Sequence, residues 1–140
     1  MEYFAYIGFT DGASHHTQNS ASAAWVIYTP TGQVLSLGGV CLRPSSNNVA
    51  EYSVIIELLQ DSISHGVFSL EVCLDSQLVV SQLNVLYHVR DPTLLQIFLR
   101  VRLLEQQFKS ITYIHISRYF NQVVDSYSNY VLDWNLFHRP

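Results

Sequence analysis

Lysine is almost missing from this chain. Lys109 stands alone, and six arginines bring the basic total to seven against eleven Asp and Glu, a formal net charge of −4. A protein that grips nucleic acid by its phosphates is expected to be basic, so composition by itself argues against such a partner. Cysteine is scarce too. Cys41 and Cys73 both lie in apolar, strand-like runs without C-x-x-C spacing, and two such thiols are expected to stay reduced in a core. No apolar run approaches the roughly 18 residues needed to cross a bilayer. The N-terminus carries no basic stretch followed by an apolar core, and N-x-S/T sites are absent. These absences make an intracellular protein the expectation, in cytoplasm or nucleus and without a membrane partner.

What is present is a foldable chain. Apolar residues make up 49% and charged residues 13% of the 140 positions, which separates it from disordered sequences. That length can hold one core without disulfides or a structural metal. No repeat, low-complexity tract or linker interrupts it, so residues 1–140 are expected to form a single domain.

Patterning predicts strands over residues 2–10, 21–29 and 34–41, the first ending at "TDGAS" and the second and third joined by the "TPTGQ" turn. A helix follows, capped by Asn47 or Asn48 and closed at His65 and Gly66. Next come a strand in "VFSLEVCLD", a helix in "SQLVVSQLN", and a helix from Asp91 and Pro92 to about Phe108. A strand in "SITYIHIS" and a helix from Asn121 to about Leu132 complete the chain. Strands joined through helices run parallel with right-handed crossovers. The order βββαβααβα therefore predicts an α/β fold with a mixed five-stranded sheet flanked by helices.

The first helix, "NNVAEYSVIIELLQ", contains an anomaly. Ile55, Leu58 and Leu59 follow Glu51 at i+4, i+7 and i+8, so Glu51 falls on the apolar stripe. Glu57 and Asp61 fall toward the opposite, solvent side. A carboxylate facing inward is costly unless a cation or a set of donors meets it. Three further acids lie near element ends: Asp11 after the first strand, Asp75 after the fourth, and Asp125 early in the last helix. In an open α/β sheet, ligands collect beyond the carboxyl ends of strands. Taken singly, Asp11 before Gly reads as a turn former, and Asp75 before Ser reads as a helix cap. Asp125, off the centre of the Val123, Val124, Tyr127 and Val131 stripe, reads as a surface acid that complements the helix dipole. Taken together, four carboxylates without His or Cys suit Mg²⁺ or Mn²⁺. A pair of such ions about 4 Å apart serves phosphodiester hydrolysis. Two of them would also offset the formal −4.

In chain order, "FTDGAS", "SSNNVAEYSVIIELL", "LDSQLVVSQLN" and "HISRYFNQVVDSYSNYVLD" resemble the type 1 ribonuclease H family over residues 6–133. Any one piece is weak, and four in order at compatible spacing are specific. The resemblance implies the ribonuclease H-like fold and endonucleolytic cleavage of the RNA strand of RNA–DNA hybrids. It places Asp11, Glu51, Asp75 and Asp125 as the ligands of two Mg²⁺ or Mn²⁺ ions. It further implies that Asn47, Asn48 and Gln77 contact the hybrid in its minor groove and that Gly12 lets backbone approach the RNA 2′-hydroxyl. Ser76 and Arg118 join this set of substrate contacts. The stretch between the second and third helices lacks a basic helical protrusion, as in the archaeal-type and plant retroelement branch. Extra hybrid affinity would then come from a fused or neighbouring domain.

The chain also departs from the family pattern. "ASHHTQNSAS" replaces a Gly- and Pro-rich turn, Ser117 stands where Pro is usual in the short branch, and no His occupies the loop before the last helix. Arg118 is the nearest substitute for that His, able to hold a phosphate but not to relay a proton at neutral pH. His115 reads as a packed or hydrogen-bonded residue. His15 and His16 read as a solvated loop, since neighbours in an extended segment point opposite ways. Trp25, Tyr28, Tyr52, Phe98 and Phe108 read as core, and Trp134 and Phe137 as cover for the sheet or a partner. Two rivals to the nuclease reading remain. One is a catalytically weak module of the same fold with a structural or binding role. The other is a nuclease of that fold acting on DNA or single strands.

Overall fold

The computed structural model describes residues 5–15, 20–43 and 46–121. The chain runs β1 (Tyr6–His15), β2 (Ser20–Tyr28), β3 (Val34–Leu42), α1 (Asn47–Ser64), β4 (Ser69–Leu74), α2 (Gln77–Leu83), α3 (Pro92–Glu105) and β5 (Ser110–His115), then a 3-10 turn at Arg118–Asn121. The sheet is mixed and five-stranded in the order β3-β2-β1-β4-β5. β1, β2 and β3 pair antiparallel, and β4 and β5 add in parallel, as the βββ-then-alternating order predicts.

β1 is longer than the sequence suggests. Asp11 and Gly12, read as a turn, lie inside the strand, paired with Ala24 and Ala23 of β2. The Asp-Gly turn signal loses to the extended pairing with β2. On its other side β1 pairs with β4 only from Tyr6↔Leu70 to Phe9↔Cys73. The sheet therefore forks after Phe9, and Asp11 stands in the fork. Gly12 is obligatory there for reasons of space. A Cβ at this position would come within 2.5 Å of the Ala50 carbonyl group, so only glycine lets α1 approach the strand this closely.

α1 is capped by Ser46, whose Oγ accepts from the Val49 N–H at 3.3 Å. The cap lies one residue before the expected asparagines. At the far end Gly66, at φ +73°, takes the left-handed position after the C-cap His65. Between these ends, Tyr52, Ile55, Leu58 and Leu59 are fully buried and join Leu70, Val72 and Leu74 of β4 in the main core. Each such side chain contributes about 1.5–3 kcal/mol. Trp25 belongs to this core, while Phe98 and Phe108 pack against it. Tyr28 packs instead with Phe9 against a smaller cluster around Ala24 and Val26.

Helix α3 ends at Glu105, earlier than expected. Its C-terminal half is tied down by Arg102, which grips Glu105 through two 2.9 Å bonds, donates to the Leu83 carbonyl and lies 4.6 Å over the Phe98 ring. Tyr113 of β5 donates to the same Glu105 carboxylate. Other expectations fail locally. Cys41 is exposed, because the outer strand β3 carries it, and only Cys73 is buried; neither forms a disulfide. His115 is exposed at the end of β5, not packed. Asp61 is turned inward, not to solvent, because Trp25 and Ser36 donate to it. The expected last helix beyond Asn121, which includes Asp125, and the tail with Trp134 and Phe137 lie outside the described residues, as does His16. Among the described residues no helix is long and apolar enough to cross a membrane.

Candidate metal centre

Three parts of the fold deliver one acid each to the fork in the sheet. Asp11 comes from β1 just past its last pairing with β4. Asp75 is the first residue after β4. Glu51 projects from the start of α1, held against β1 by the close approach at Gly12. One carboxylate oxygen from each of the three lies within 4.8 Å of the others. The capping role expected of Asp75 falls to its neighbour, since Ser76 Oγ accepts from the Val79 N–H at 3.3 Å. Asp75 is thereby left to face the other acids.

The cluster is buried. Asp11 is 2% and Glu51 7% exposed, and the Asp75 side chain is 12% exposed. Glu51 Oε2 and Asp75 Oδ2 are inaccessible to solvent and accept no hydrogen bond. The cation found near them is Arg118, whose Nε stands 3.9 Å from Asp75 Oδ2 on a side chain that is 78% exposed. Burial, reinforced by the Asp75 charge, pushes the Glu51 carboxyl up to about 8. The Gly12 backbone N–H, a hydrogen bond with Asp11 and the Arg118 charge act in the opposite direction and do not cancel it.

Three buried acids this close cannot all carry charge without a further cation. Their donor set is oxygen only, which matches a hard divalent ion and not zinc. The buried, unsatisfied oxygens on Glu51 and Asp75 are the observation that fits such an ion to this place. The anomaly on the apolar stripe of α1 is thus met by neither a salt bridge nor a full set of backbone donors.

The other expected site residues are distributed around this centre. Gly12 is buried, and its backbone N–H serves Glu51. Asn47, exposed, and Asn48, half-buried, open α1 in the turn before Glu51. Ser76 caps α2 and Gln77, exposed, begins it, directly after Asp75. Asp125 lies outside the described residues.

One contact near this centre has no signal in the local sequence. Asn121, expected as a helix cap, is 1% exposed in the 3-10 turn. Its Nδ2 donates to the Thr10 carbonyl at 3.0 Å. It thus occupies the backbone position beside β1 that β4 has vacated. Nothing local to "YFNQ" announces a bond across so much of the chain.

Comparison with known proteins fits this geometry. A family model described as reverse transcriptase-like matches residues 9–131. The curated ribonuclease HI of Halobacterium salinarum is 32% identical over 125 residues, covering 89% of this chain and 63% of that protein. The chain thus spans somewhat under two thirds of that relative's length. The crystal structure of ribonuclease H1 from the same halophilic archaeon superimposes with a TM-score of 0.88 at 31% identity, over 92% of this chain and 98% of that one. The LC11 ribonuclease H1 isolated from compost, solved in complex with an RNA/DNA hybrid, gives a TM-score of 0.88 at 29% identity, over 94% and 99% of the two chains.

Proposed function

Since the chain belongs to the type 1 ribonuclease H family, we propose that it is an endoribonuclease that hydrolyses the RNA strand of RNA–DNA hybrids with two Mg²⁺ or Mn²⁺ ions. The observation that carries this reading is the buried set Asp11, Glu51 and Asp75, with oxygens within 4.8 Å of one another and two of those oxygens unsatisfied. The relative bound to an RNA/DNA hybrid supports the substrate class.

Asp11, Glu51 and Asp75 hold the ions, with Asp125 as the fourth ligand. Bound divalent cations at such a centre stabilise charge on phosphate oxygens and make water acidic enough to attack. The protein's own groups do the positioning. The Gly12 N–H and the Asp11 side chain orient Glu51 from opposite partners. Asn47 and Asn48 at the start of α1, with Ser76 and Gln77 at the start of α2, present neutral donors and acceptors on the two chain segments that carry Glu51 and Asp75. Neutral groups suit the minor groove of a hybrid, where 2′-hydroxyls and base edges are exposed. Arg118, exposed and beside Asp75, holds a phosphate.

The low basic content favours one second reading, a catalytically weak binding module of the same fold. A fused or neighbouring domain would supply the missing affinity in either case. Cleavage of an end-labelled hybrid in Mg²⁺ separates the two, alongside Asp75→Asn and with duplex DNA, duplex RNA and single strands as competitors. Hybrid-selective cutting lost in the variant supports the nuclease. Equal signal from both proteins removes it.

A further inference from the structure

Helix α3 is apolar on two opposite faces. At about 100° per residue, Val101 points into the core and is fully buried. Leu95, Leu99 and Leu103, at i, i+4 and i+8, form a stripe on the far side and are 39%, 56% and 65% exposed. A helix with one apolar face needs one partner, and this one has a second face in water. The chain between α2 and α3 leaves beside Arg102, which holds the Leu83 carbonyl, and enters α3 at Pro92. Tyr87, on this connecting segment, is exposed as well.

The acids and bases of this helix are not equally engaged. Asp91 is committed to the Thr93 and Leu94 N–H groups, and Glu105 to Arg102 and Tyr113. Arg90 and Arg100 are exposed, and neither makes an ion pair among the described residues. In a chain of net charge −4, α3 and the residues that lead into it thus offer two exposed guanidinium groups, Arg90 and Arg100, that a partner's carboxylates can meet. A second copy is a poor occupant. The stripe is symmetric about Leu99, so an antiparallel pair would bring both Arg100 side chains to the same flank beside the two-fold axis.

We propose that the outer face of α3 is a docking surface for an acidic amphipathic helix of a partner protein. The partner's apolar residues would cover Leu95, Leu99 and Leu103, and its carboxylates would meet Arg90 and Arg100. This is helix-to-helix recognition read through i, i+4 anchors, and it is separate from the acidic centre.

The test uses two synthetic helical peptides sharing one leucine stripe, flanked by glutamates in one and by lysines in the other. Binding is followed by fluorescence anisotropy and by amide chemical-shift mapping on the whole protein. The glutamate peptide should bind about tenfold or more tighter and shift the amides of Leu95, Leu99 and Leu103. Arg100→Glu should reverse the preference. Leu99→Glu and the milder Leu99→Gln should abolish binding without altering hybrid cleavage. Equal binding of both peptides, or of neither, overturns the proposal. So does concentration-dependent dimerisation that blocks the peptide, which would make a second copy the occupant. Hybrid-induced shifts of the same amides would instead make this a nucleic-acid face.

Discussion

Helix α1 turns an acid inward near each end, Glu51 buried and Asp61 half-buried, and the two could hardly be treated more differently. Near the C-terminus, Asp61 Oδ2 accepts from Trp25 Nε1 at 2.8 Å and from Ser36 Oγ at 2.6 Å, while Oδ1 lies 3.2 Å from His65 Nδ1. Near the N-terminus, Glu51 faces two more carboxylates, and its Oε2 meets no donor at all. Asp61 is an acid the fold has provided for, and it fastens β2 and β3 to the helix. Glu51 is an acid the fold has left incomplete, held by the Gly12 N–H and a hydrogen bond with Asp11 but with its other oxygen unmet. Burial alone does not distinguish a structural carboxylate from a functional one. The count of donors does.

The contrast can be broken from either end. The largest effect is expected at the incomplete site: Asp75→Asn should lower hybrid cleavage by at least about 10²-fold, the scale of removing one electrostatic stabiliser. The same change should raise the melting temperature of the metal-free protein, because it relieves repulsion within the cluster. Parallel assays of cleavage and of thermal unfolding in EDTA check both signs. At the satisfied site the pattern inverts. Asp61→Ala should cost about 2–3 kcal/mol of stability by stranding the Trp25 and Ser36 donors, as read by denaturant unfolding. Cleavage per folded molecule should stay near wild type.

A smaller effect follows from the raised carboxyl of Glu51. Between about 4.5 and about 8 the unfolded chain has released this proton while the native state retains it. Unfolding therefore releases a proton, and stability of the metal-free protein falls as pH rises through that window. Melting curves in EDTA across the window should show the decline, and Glu51→Gln should flatten it. Saturating Mg²⁺ should flatten it too, by supplying the charge that burial denies. The smallest effect belongs to His65, whose side chain is 40% exposed. His65→Ala should shift stability by no more than a few tenths of a kcal/mol, as for other solvent-screened pairs.

The sequence exposed one of these two acids and concealed the other, for a physical reason. Glu51 betrays itself by periodicity, since its neighbours at i+4 and i+7 are apolar and helical geometry is local. Asp61 looks like a solvent-side residue because its partners, Trp25 and Ser36, come from two different strands. The strand order was readable because three paired strands followed by alternation leave few topologies. The extension of β1 through Asp11 and Gly12 was not, because an Asp-Gly pair signals a turn and only the long pairing with β2 overrides it. The shift of the α1 cap from Asn47 or Asn48 to Ser46 is a competition among adjacent good cappers. Asn121 reads in the sequence as the cap of a helix that lies outside the described residues, and its bond to Thr10 depends on residues 111 positions apart.

That long-range bond has a kinetic consequence. Contacts between distant parts of a chain close late, after the loop entropy of everything between them has been met. The early hairpins can form from neighbouring residues, but the notch beside Thr10 is filled only once the end of the described chain has returned to its beginning. An ion-binding pocket assembled at that notch belongs to the finished molecule and not to its partly folded precursors. The three acids that face one another there come from residues 11, 51 and 75, so the centre too awaits contacts between distant parts of the chain.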